Sequence, residues 1–319
     1  MYKNNTIGVV IPTFKAKLYI HSVINGLPDW VDYIIVVDDK CPQNTGNIVQ
    51  QKYESEPRVK VVFHHINKGV GASTVTGYRE ALNLGCEIIV KMDSDDQMDP
   101  KYLEKLIDPI VNKRAGYSKG NRFVDFKALK SMPLGRLLGN SILSFMVKAS
   151  SGYWNIMDPT NGYTAVSRSV LSIISLDKLE KRYFFESDFL INLNIQNVVI
   201  SDVAIPARYG DEISSLNIWS TLFKFPPKLF KGLVKRFFYK YLIYDFNMAS
   251  VYVLLGLPLF LWGLIFGLIK WFQNASIMVE TNTGTVMLSV LPLILGTQFL
   301  LAAINIDIES TPGKNSSLN

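Results

Sequence analysis

Hydrophobic and polar stretches alternate regularly through the first 110 residues of the chain. Short apolar runs rich in β-branched residues occupy positions 7–12, 33–37, 59–63 and 87–92, and helix-length stretches such as 72–84 separate them. Strands that are apolar throughout and that alternate with helices are typical of a mainly parallel sheet covered on both faces. The pattern therefore predicts an α/β fold for this part of the chain.

Polar residues follow each predicted strand: Thr13, the pair Asp38-Asp39, the pair His64-His65, and Asp93 to Asp95. In open parallel sheets, ligands bind at the edge formed by the carboxyl ends of the strands. Because all four strand ends carry polar residues, we expect the binding site at this edge.

The second half of the chain shows helical periodicity next to apolar segments. Residues 132–147 predict an amphipathic helix, which either packs on its own domain or lies on a membrane surface. Residues 222–242 pair apolar positions at four-residue spacing with a basic face, which is typical of an interfacial helix. The basic residues are Lys228, Lys231, Lys235, Arg236 and Lys240.

Two uncharged stretches, 248–269 and 283–304, are each long enough to cross a hydrocarbon core of ~30 Å. The connector between them is too short for a domain, so the stretches predict a transmembrane hairpin. The basic run before the first span places both chain ends in the cytosol. We therefore expect four regions: a cytosolic catalytic domain (1–217), an interface helix region (218–246), the hairpin (247–305) and a cytosolic tail (306–319).

Composition agrees with a membrane protein. Hydrophobic residues make up 48% of the chain, and the mean hydropathy is +0.17. The net charge of +6 favours a membrane surface over nucleic acid, because the basic residues cluster beside the apolar spans. Cys41 and Cys86 fit a reducing compartment, and the absence of CxxC spacing argues against a structural zinc site. The opening residues lack the apolar stretch of a signal peptide, so we expect the N-terminal part to stay in the cytosol.

The strongest chemical signal is the run Asp93-Ser94-Asp95-Asp96-Gln97. Adjacent carboxylates repel one another unless a cation or solvent compensates them. Two carboxylates spaced i, i+2 at a strand end point to one side, where they can share a divalent cation. Oxygen ligands suit Mg²⁺ or Mn²⁺, which typically bridge substrate phosphates. The alternative is a solvated acidic turn or a helix cap before Pro100.

Other candidates carry weaker signals. Asp38-Asp39 fits a ribose or base contact or an ordinary turn. The loop 67–72 fits a phosphate cradle or a tight turn, and it lacks the ending of a Walker A motif. The carboxylates Asp158, Glu186 and Asp188 fit roles near a reacting carbon or helix caps. The arginines fit phosphate contacts or an ordinary surface; they are Arg122, Arg136 and Arg208.

Taken in order, these motifs resemble the family 2 glycosyltransferases of GT-A fold. The resemblance lies in VIPTF at 10–14, VVDD at 36–39, NKGVG at 67–71 and DSDDQ at 93–97. Two further motifs, DPTNGY at 158–163 and IPARYG at 205–210, and the C-terminal hairpin resemble the polyprenyl-phosphate branch of that family. That branch includes the dolichyl-phosphate mannose synthases and the bactoprenol glucosyltransferases.

The resemblance implies roles for individual residues. Asp95 and Gln97 would bind the metal, and Asp158 would face the reacting centre. Asp188 is a second catalytic candidate, which rests on the residue type and not on the resemblance. Arg122 and Arg136 would meet the acceptor phosphate. The nucleotide-sugar contacts would come from Pro12, Phe14, Asp38, Asp39, Asp93, Ser94 and Arg208. Where the family has Asn-Glu after the aromatic of the first motif, this chain has Lys15-Ala16, which leaves the identity of the base open.

These features predict an inverting transfer of a sugar from a UDP- or GDP-sugar to a polyprenyl phosphate, with Mg²⁺ or Mn²⁺ as cofactor. We expect a multi-pass protein of the inner cell membrane with its catalytic domain in the cytoplasm and no nucleic-acid partner. A phosphate monoester, with a second pKa of about 6, arrives as a dianion and needs no general base.

The main alternative is a membrane-bound transferase that elongates a polysaccharide or glycolipid. A hydroxyl acceptor needs a base, which Glu186 or Asp188 would supply. A non-catalytic scaffold is disfavoured by the intact acidic run, and a pyrophosphorylase by the lack of a glycine-rich, lysine-terminated loop near the N-terminus. The sugar and the oligomeric state, including an association of several hairpins, stay open.

Overall fold

A computed structural model describes residues 1–122, 134–206 and 218–313, with the backbone alone for 134–138, 140 and 218–223. Within these ranges seven strands form one sheet in the order β3-β2-β1-β4-β6-β5-β7. The strands are β1 Ile7–Thr13, β2 Tyr33–Asp38, β3 Val59–Phe63, β4 Ile88–Lys91, β5 Tyr117–Asn121, β6 Thr164–Ser167 and β7 Ile200–Ala204.

The first four strands run parallel to one another. β6 runs antiparallel to β4 and β5, and β7 runs parallel to β5. This mixed but mostly parallel sheet confirms the predicted α/β fold. The register places Lys91 of β4 and Lys119 of β5 on either side of Thr164 of β6, in one row across three strands.

Helices cover both faces of the sheet. The described helices are, in chain order, α1 Ile20–Asn25, α2 Thr45–Lys52, α3 Val70–Asn83, α4 Leu103–Val111, α5 Leu134–Ser151, α6 Arg168–Ile173, α7 Phe185–Ile195, α8 Ile218–Phe237, and the C-terminal pair α9 Met248–Ser276 and α10 Thr283–Glu309. Two hydrophobic cores result, one on each face of the sheet. β1 is buried along its whole length because both of its faces are covered.

Helix α3 packs very closely on the central strand. A Cβ atom at Gly77 would collide with the side chain of Val10, so the absence of a side chain there permits the approach. The helix begins at Val70, two residues before the stretch predicted from the sequence, since Gly69 turns the chain with a φ of +94°.

The C-terminal part consists of two long antiparallel helices, preceded by α8 and a π-helical turn at Phe238–Tyr244. Asn247 starts α9 with a capping box that includes Ser250. Both α9 and α10 are long and apolar enough to cross a membrane. They pack against each other through glycines: a Cβ on Gly256 would lie 2.9 Å from the Cβ of Phe299.

The two helices are longer than the apolar stretches in the sequence. They end at Ser276 and Glu309, beyond the predicted limits at 269 and 304. Residues 270–276 contain no Gly or Pro, so the backbone hydrogen bonds continue past Lys270, the charged residue that ends the first uncharged stretch.

Candidate active site

The carboxyl ends of β1, β2 and β4 meet at one edge of the sheet, as the sequence predicts for a parallel sheet. Thr13 at the end of β1 pairs with Asp38 at the end of β2. On the other side of β1, Val10 pairs with Lys91, the last residue of β4. The acidic run that begins at Asp93 therefore follows β4 into the same edge, which we call the ligand edge.

Asp38 and Asp39 are both buried at the ligand edge, and their carboxylates organise the loops around it. Asp38 accepts hydrogen bonds from the backbone N–H groups of Cys41 at 2.7 Å and Gly46 at 2.6 Å. Asp39 accepts from the N–H groups of Lys68 at 2.8 Å and Gly69 at 2.7 Å. Both aspartates thus shape the site from within, and these bonds engage their side-chain oxygens.

His64 extends this support to helix α3. Its ring contacts Asp39 Oδ1 through Nδ1 at 2.8 Å and Thr76 Oγ1 through Nε2 at 2.9 Å. The histidine is buried, with 6% of its surface exposed. Through these two contacts it joins the end of β3 to α3 inside the protein. The loop 67–69 is therefore held by Asp39 and its partners, which fixes the backbone at the start of α3.

An exposed aromatic ring stands at the same edge. Phe14 is 46% exposed, while Pro12 is buried in β1. Lys15 adopts a left-handed φ of 58°, and its N–H donates to Cys41 Sγ at 3.1 Å. Burial by itself raises the pKa of the Cys41 thiol, but hydrogen bonds from Thr45, Lys15 and Gln43 lower it overall.

The residues of the acidic run point in different directions. Asp95 Oδ1 accepts from the N–H of Gln97 at 3.1 Å. Asp96 has a left-handed φ of 61°, and its carboxylate accepts from Ser22 Oγ at 3.0 Å, toward α1. Ser94 is buried, and the side chain of Asp93 is 34% exposed. The run is therefore a structured turn and not a solvated acidic stretch.

Asp95 and Gln97 offer oxygen donors of the kind that Mg²⁺ and Mn²⁺ prefer, and both side chains are only partly buried. Within the described ranges, no group of three or more His, Cys, Asp and Glu could hold a metal ion. An ion at this position would need further oxygens from the substrate. That fits Mg²⁺, which typically takes one or two protein carboxylates and the phosphates of its substrate.

A buried lysine links the acidic run to helix α7. Lys91 is 2% exposed, and its Nζ lies 2.8 Å from Asp93 Oδ1 and 3.0 Å from Glu186 Oε1. Burial by itself lowers the pKa of Lys91, but the two carboxylates raise it more, so the net pKa is raised. The lysine stays protonated in the physiological range.

The turn at Gly162 packs directly on this ion pair. A Cβ atom at Gly162 would lie 2.6 Å from both Asp93 Oδ2 and Lys91 Nζ. Beyond it, the fully buried Lys119 donates a hydrogen bond to the carbonyl of Asn161. Burial lowers the pKa of Lys119 to about 8, although Glu186 and Asp158 oppose the shift. Lysines thus flank the turn from two strands.

Asp158 begins this turn and is fully buried. Its two carboxylate oxygens accept from Arg122 Nε at 2.7 Å and Nη2 at 3.1 Å. Such a two-pronged pair fixes the plane of the guanidinium group. The side chain of Arg122 is 43% exposed. The structure therefore brings Asp158 and Arg122 together, with the aspartate orienting the arginine.

Asp188 lies away from these groups. Its carboxylate accepts from the N–H of Glu180 at 3.0 Å and from Asn192 Nδ2 at 3.1 Å. Burial raises its pKa, and the hydrogen bond from Glu180 and the charge of Lys235 oppose that rise. Residues two apart on a helix point to nearly opposite sides. The structure accordingly places Glu186, and not Asp188, beside the acidic run.

Two predicted phosphate ligands are not positioned by the structure. Arg136 lies in α5, of which the first residues are described by their backbone alone, and Arg208 lies outside the described residues. In contrast, sequence reasoning missed Lys91 and Lys119. Lys91 carried a signal, a lysine inside a predicted apolar strand, which is rare unless the charge is paired. Lys119 carried none, because its strand has a polar sequence.

Comparison with known proteins assigns the chain to a family. The model of the family described as "Glycosyl transferase family 2" matches residues 8–174, and the chain belongs to that family. It is 34% identical over 218 residues to the UDP-N-acetylglucosamine–dolichyl-phosphate N-acetylglucosaminyltransferase of Methanococcus voltae, which corresponds to 64% of this chain and 86% of the relative.

A second relative is the polyprenol monophosphomannose synthase of Mycolicibacterium smegmatis, which is 28% identical over 240 residues. The alignment covers 72% of this chain and 88% of that protein. The undecaprenyl-phosphate mannosyltransferase of Micrococcus luteus is 29% identical over 182 residues, covering 56% of this chain and 74% of the relative. The protein is thus a glycosyltransferase, and three of its relatives are named for polyprenyl-phosphate acceptors.

Proposed function

We propose that this glycosyltransferase transfers a sugar from a nucleoside diphosphate sugar to a polyprenyl phosphate. One observation carries the choice of acceptor: the ammonium group of Lys91 donates a hydrogen bond to Glu186. Glu186 shares the buried Lys91 with Asp93, and its engagement with that cation leaves it poorly suited to take a proton from a hydroxyl group. An acceptor that arrives already ionised needs no such base.

The charges around the turn 158–162 support the same choice. Lys119 and Arg122 contribute positive charge beside it, and Asp158 holds Arg122 in one orientation. A guanidinium group binds phosphate oxygens in pairs. The relatives support the proposal independently, since their names specify dolichyl, polyprenol and undecaprenyl phosphate acceptors.

In the proposed reaction an oxygen of the acceptor phosphate attacks the anomeric carbon of the donor sugar. The bond between that carbon and the diphosphate breaks, and the nucleoside diphosphate leaves with the electron pair, so the configuration inverts. Arg122 holds the acceptor phosphate, and Phe14 offers a surface on which a base stacks. Asp95 and Gln97 would hold a divalent cation, which would neutralise charge on the diphosphate.

We also propose that α9 and α10 cross the cell membrane twice and hold the catalytic domain on the cytoplasmic side. The basic residues that precede α9, including Lys228 and Lys231, support this orientation. Exposed apolar residues on α8 and the following turn, such as Phe230 at 67% and Phe238 at 49%, fit contact with the membrane interface.

The test uses the full-length protein in nanodiscs with labelled UDP- and GDP-sugars and two acceptors, undecaprenyl phosphate and undecaprenol. We expect a labelled lipid product with undecaprenyl phosphate and none with undecaprenol. Arg122→Ala should lower its formation at least tenfold. Arg114→Ala, which removes an exposed arginine paired with Asp108, is the matched control and should retain full activity.

A labelled product that forms on a glycan or glycolipid hydroxyl, with none on undecaprenyl phosphate, would refute this function and favour the elongating transferase. Equal activity of the Arg122 and Arg114 variants would leave the acceptor proposal without its phosphate-binding residue.

A further inference from the structure

A buried polar cluster joins the second long apolar helix to the catalytic domain. Asp307 lies two residues before the end of α10 and is 9% exposed. Its carboxylate accepts hydrogen bonds from Arg236 Nη1 at 2.6 Å and Nη2 at 3.0 Å, Tyr241 Oη at 2.5 Å and Trp154 Nε1 at 3.0 Å. We call Trp154, Arg236, Tyr241 and Asp307 the latch.

The latch also holds the end of α5. Arg236 donates through Nε to the carbonyl of Ser150 at 2.9 Å and through Nη2 to that of Ala149 at 3.1 Å. Gly152, the residue that follows α5, has a φ of +73°, and a Cβ there would collide with the guanidinium of Arg236. The latch therefore joins α8 and the turn that follows it to α5, to α10 and to the start of the segment 152–162.

The segment 152–162 leads from the latch to the ligand edge. Trp154, the third residue of the segment, belongs to the latch, and the N–H of Met157 donates to Asp202 at 3.4 Å. Asp158 then binds Arg122, and Gly162 ends the segment against Asp93. Eleven residues thus connect an apolar helix with the acidic run, and both ends are held by buried charged groups.

Burial of a carboxylate is unfavourable unless every oxygen is hydrogen-bonded, and apolar residues would join the helix to the domain at least as tightly. A polar cluster differs in admitting one geometry, because each donor must meet its acceptor. The latch is therefore suited to set an orientation and not merely to provide adhesion.

We propose that Asp307 is a positioning residue for the transfer reaction: through Trp154 and Arg236 it fixes the segment 152–162, and thereby Arg122, relative to the hairpin that faces the lipid acceptor. The hairpin would then take part in placing the acceptor phosphate. This inference rests on the proposed transfer to a lipid phosphate, so its test includes a readout that requires no turnover.

The most specific variant is Trp154→Phe. It removes the N–H that donates to Asp307 and keeps an aromatic ring against Phe145, whose centroid lies 5.9 Å away. The matched control is Trp262→Phe, a change to a 58% exposed residue in α9. Both variants of the full chain are measured in nanodiscs for kcat, for KM of the donor and of undecaprenyl phosphate, and for nucleoside diphosphate affinity.

We expect Trp154→Phe to lower kcat about five- to tenfold, because a displacement of about 1 Å near a site is enough for such losses. Donor KM and nucleotide affinity should change less than about twofold, and Trp262→Phe should match the parent enzyme. A loss of kcat that is fully explained by a smaller fraction of folded enzyme would overturn the positioning role. Equal rises of the KM for the donor and the KM for undecaprenyl phosphate would also overturn it.

Hydrogen exchange supplies the readout without turnover. In Asp307→Asn we expect faster exchange of the amides in 152–162, with unchanged exchange in strand β2. Unchanged exchange in 152–162, with the hairpin still inserted, would overturn the inference even if the enzyme transfers sugar as proposed. Failure of the parent enzyme to act on a lipid phosphate, with the exchange result as expected, would overturn the acceptor alone and leave the coupling in place.

Discussion

Removal of the buried charge at Lys91 gives the most direct view of how this site is held together. Lys91→Met keeps the length of the side chain and deletes the ammonium group that lies 2.8 Å from Asp93 and 3.0 Å from Glu186. Two carboxylates then remain near each other without their shared cation. We expect loss of stability, a weaker site and a measurable coupling between the three side chains.

The magnitude follows from the burial of the partners. Removing one member of a buried ion pair typically costs about 3–5 kcal/mol in the free energy of unfolding. Here the side chain of Asp93 is 34% exposed and that of Glu186 is 16% exposed, so water restores part of their solvation. We therefore expect about 2–3 kcal/mol, which corresponds to a fall in melting temperature of roughly 5–10 °C for a domain of this size.

The assay is thermal unfolding of the detergent-purified protein, with Lys91→Met, Glu186→Gln and the double variant compared in one cycle. Glu186→Gln should restore about half of the stability lost in Lys91→Met, because it removes one of the two uncompensated charges. If Lys91→Met melts with the parent protein, or the double variant melts below both single variants, the lysine does not hold the two carboxylates together.

Three further predictions follow from neighbouring groups. Burial lowers the pKa of Lys119 to about 8, so above pH 8 the unfolded chain binds more protons than the folded protein does. The stability of the parent protein relative to Lys119→Met should therefore rise between pH 8 and about 10.4, as measured by thermal melts at a series of pH values. Gly162→Ala should lower kcat/KM more than tenfold because its Cβ would lie 2.6 Å from Asp93 and Lys91, whereas Gly284→Ala should not, because its Cβ would meet Asn282 Oδ1 at an ordinary contact distance of 3.6 Å. Chelation with EDTA should abolish turnover, Mn²⁺ should restore it in the parent protein, and Asp95→Asn should need far more Mn²⁺; activity that survives chelation would exclude this metal role.

Much of the fold was predictable because its signals are local. Strand β3 matches the predicted run at both ends, and β1, β2 and β4 differ from theirs by a residue or so at an end. A strand buried on both faces must be apolar at nearly every position, so it is visible in the sequence without knowledge of its partners. The two long helices are visible for the same reason, since a span needs an unbroken apolar run.

The strand β5, with the sequence YSKGN, could not be found in this way. It lies in the sheet because β6 and β7 flank it, and these partners come from residues far along the chain. Its polar residues are tolerated there since each finds a partner inside the protein: Lys119 contacts the carbonyl of Asn161, and Ser118 donates to the carbonyl of Leu106.

The sequence by itself determined the ligand edge, the position of the acidic run and the apolar hairpin, because strand ends and apolar lengths are properties of contiguous residues. Only the tertiary structure decided which charges face which. It paired Asp158 with Arg122 and Glu186 with Lys91, and it brought Asp307 to Trp154 across 153 positions. Residue types alone do not specify such pairings, since each depends on where distant elements pack. The pairings distinguish the residues that support the site from those left to bind its substrates.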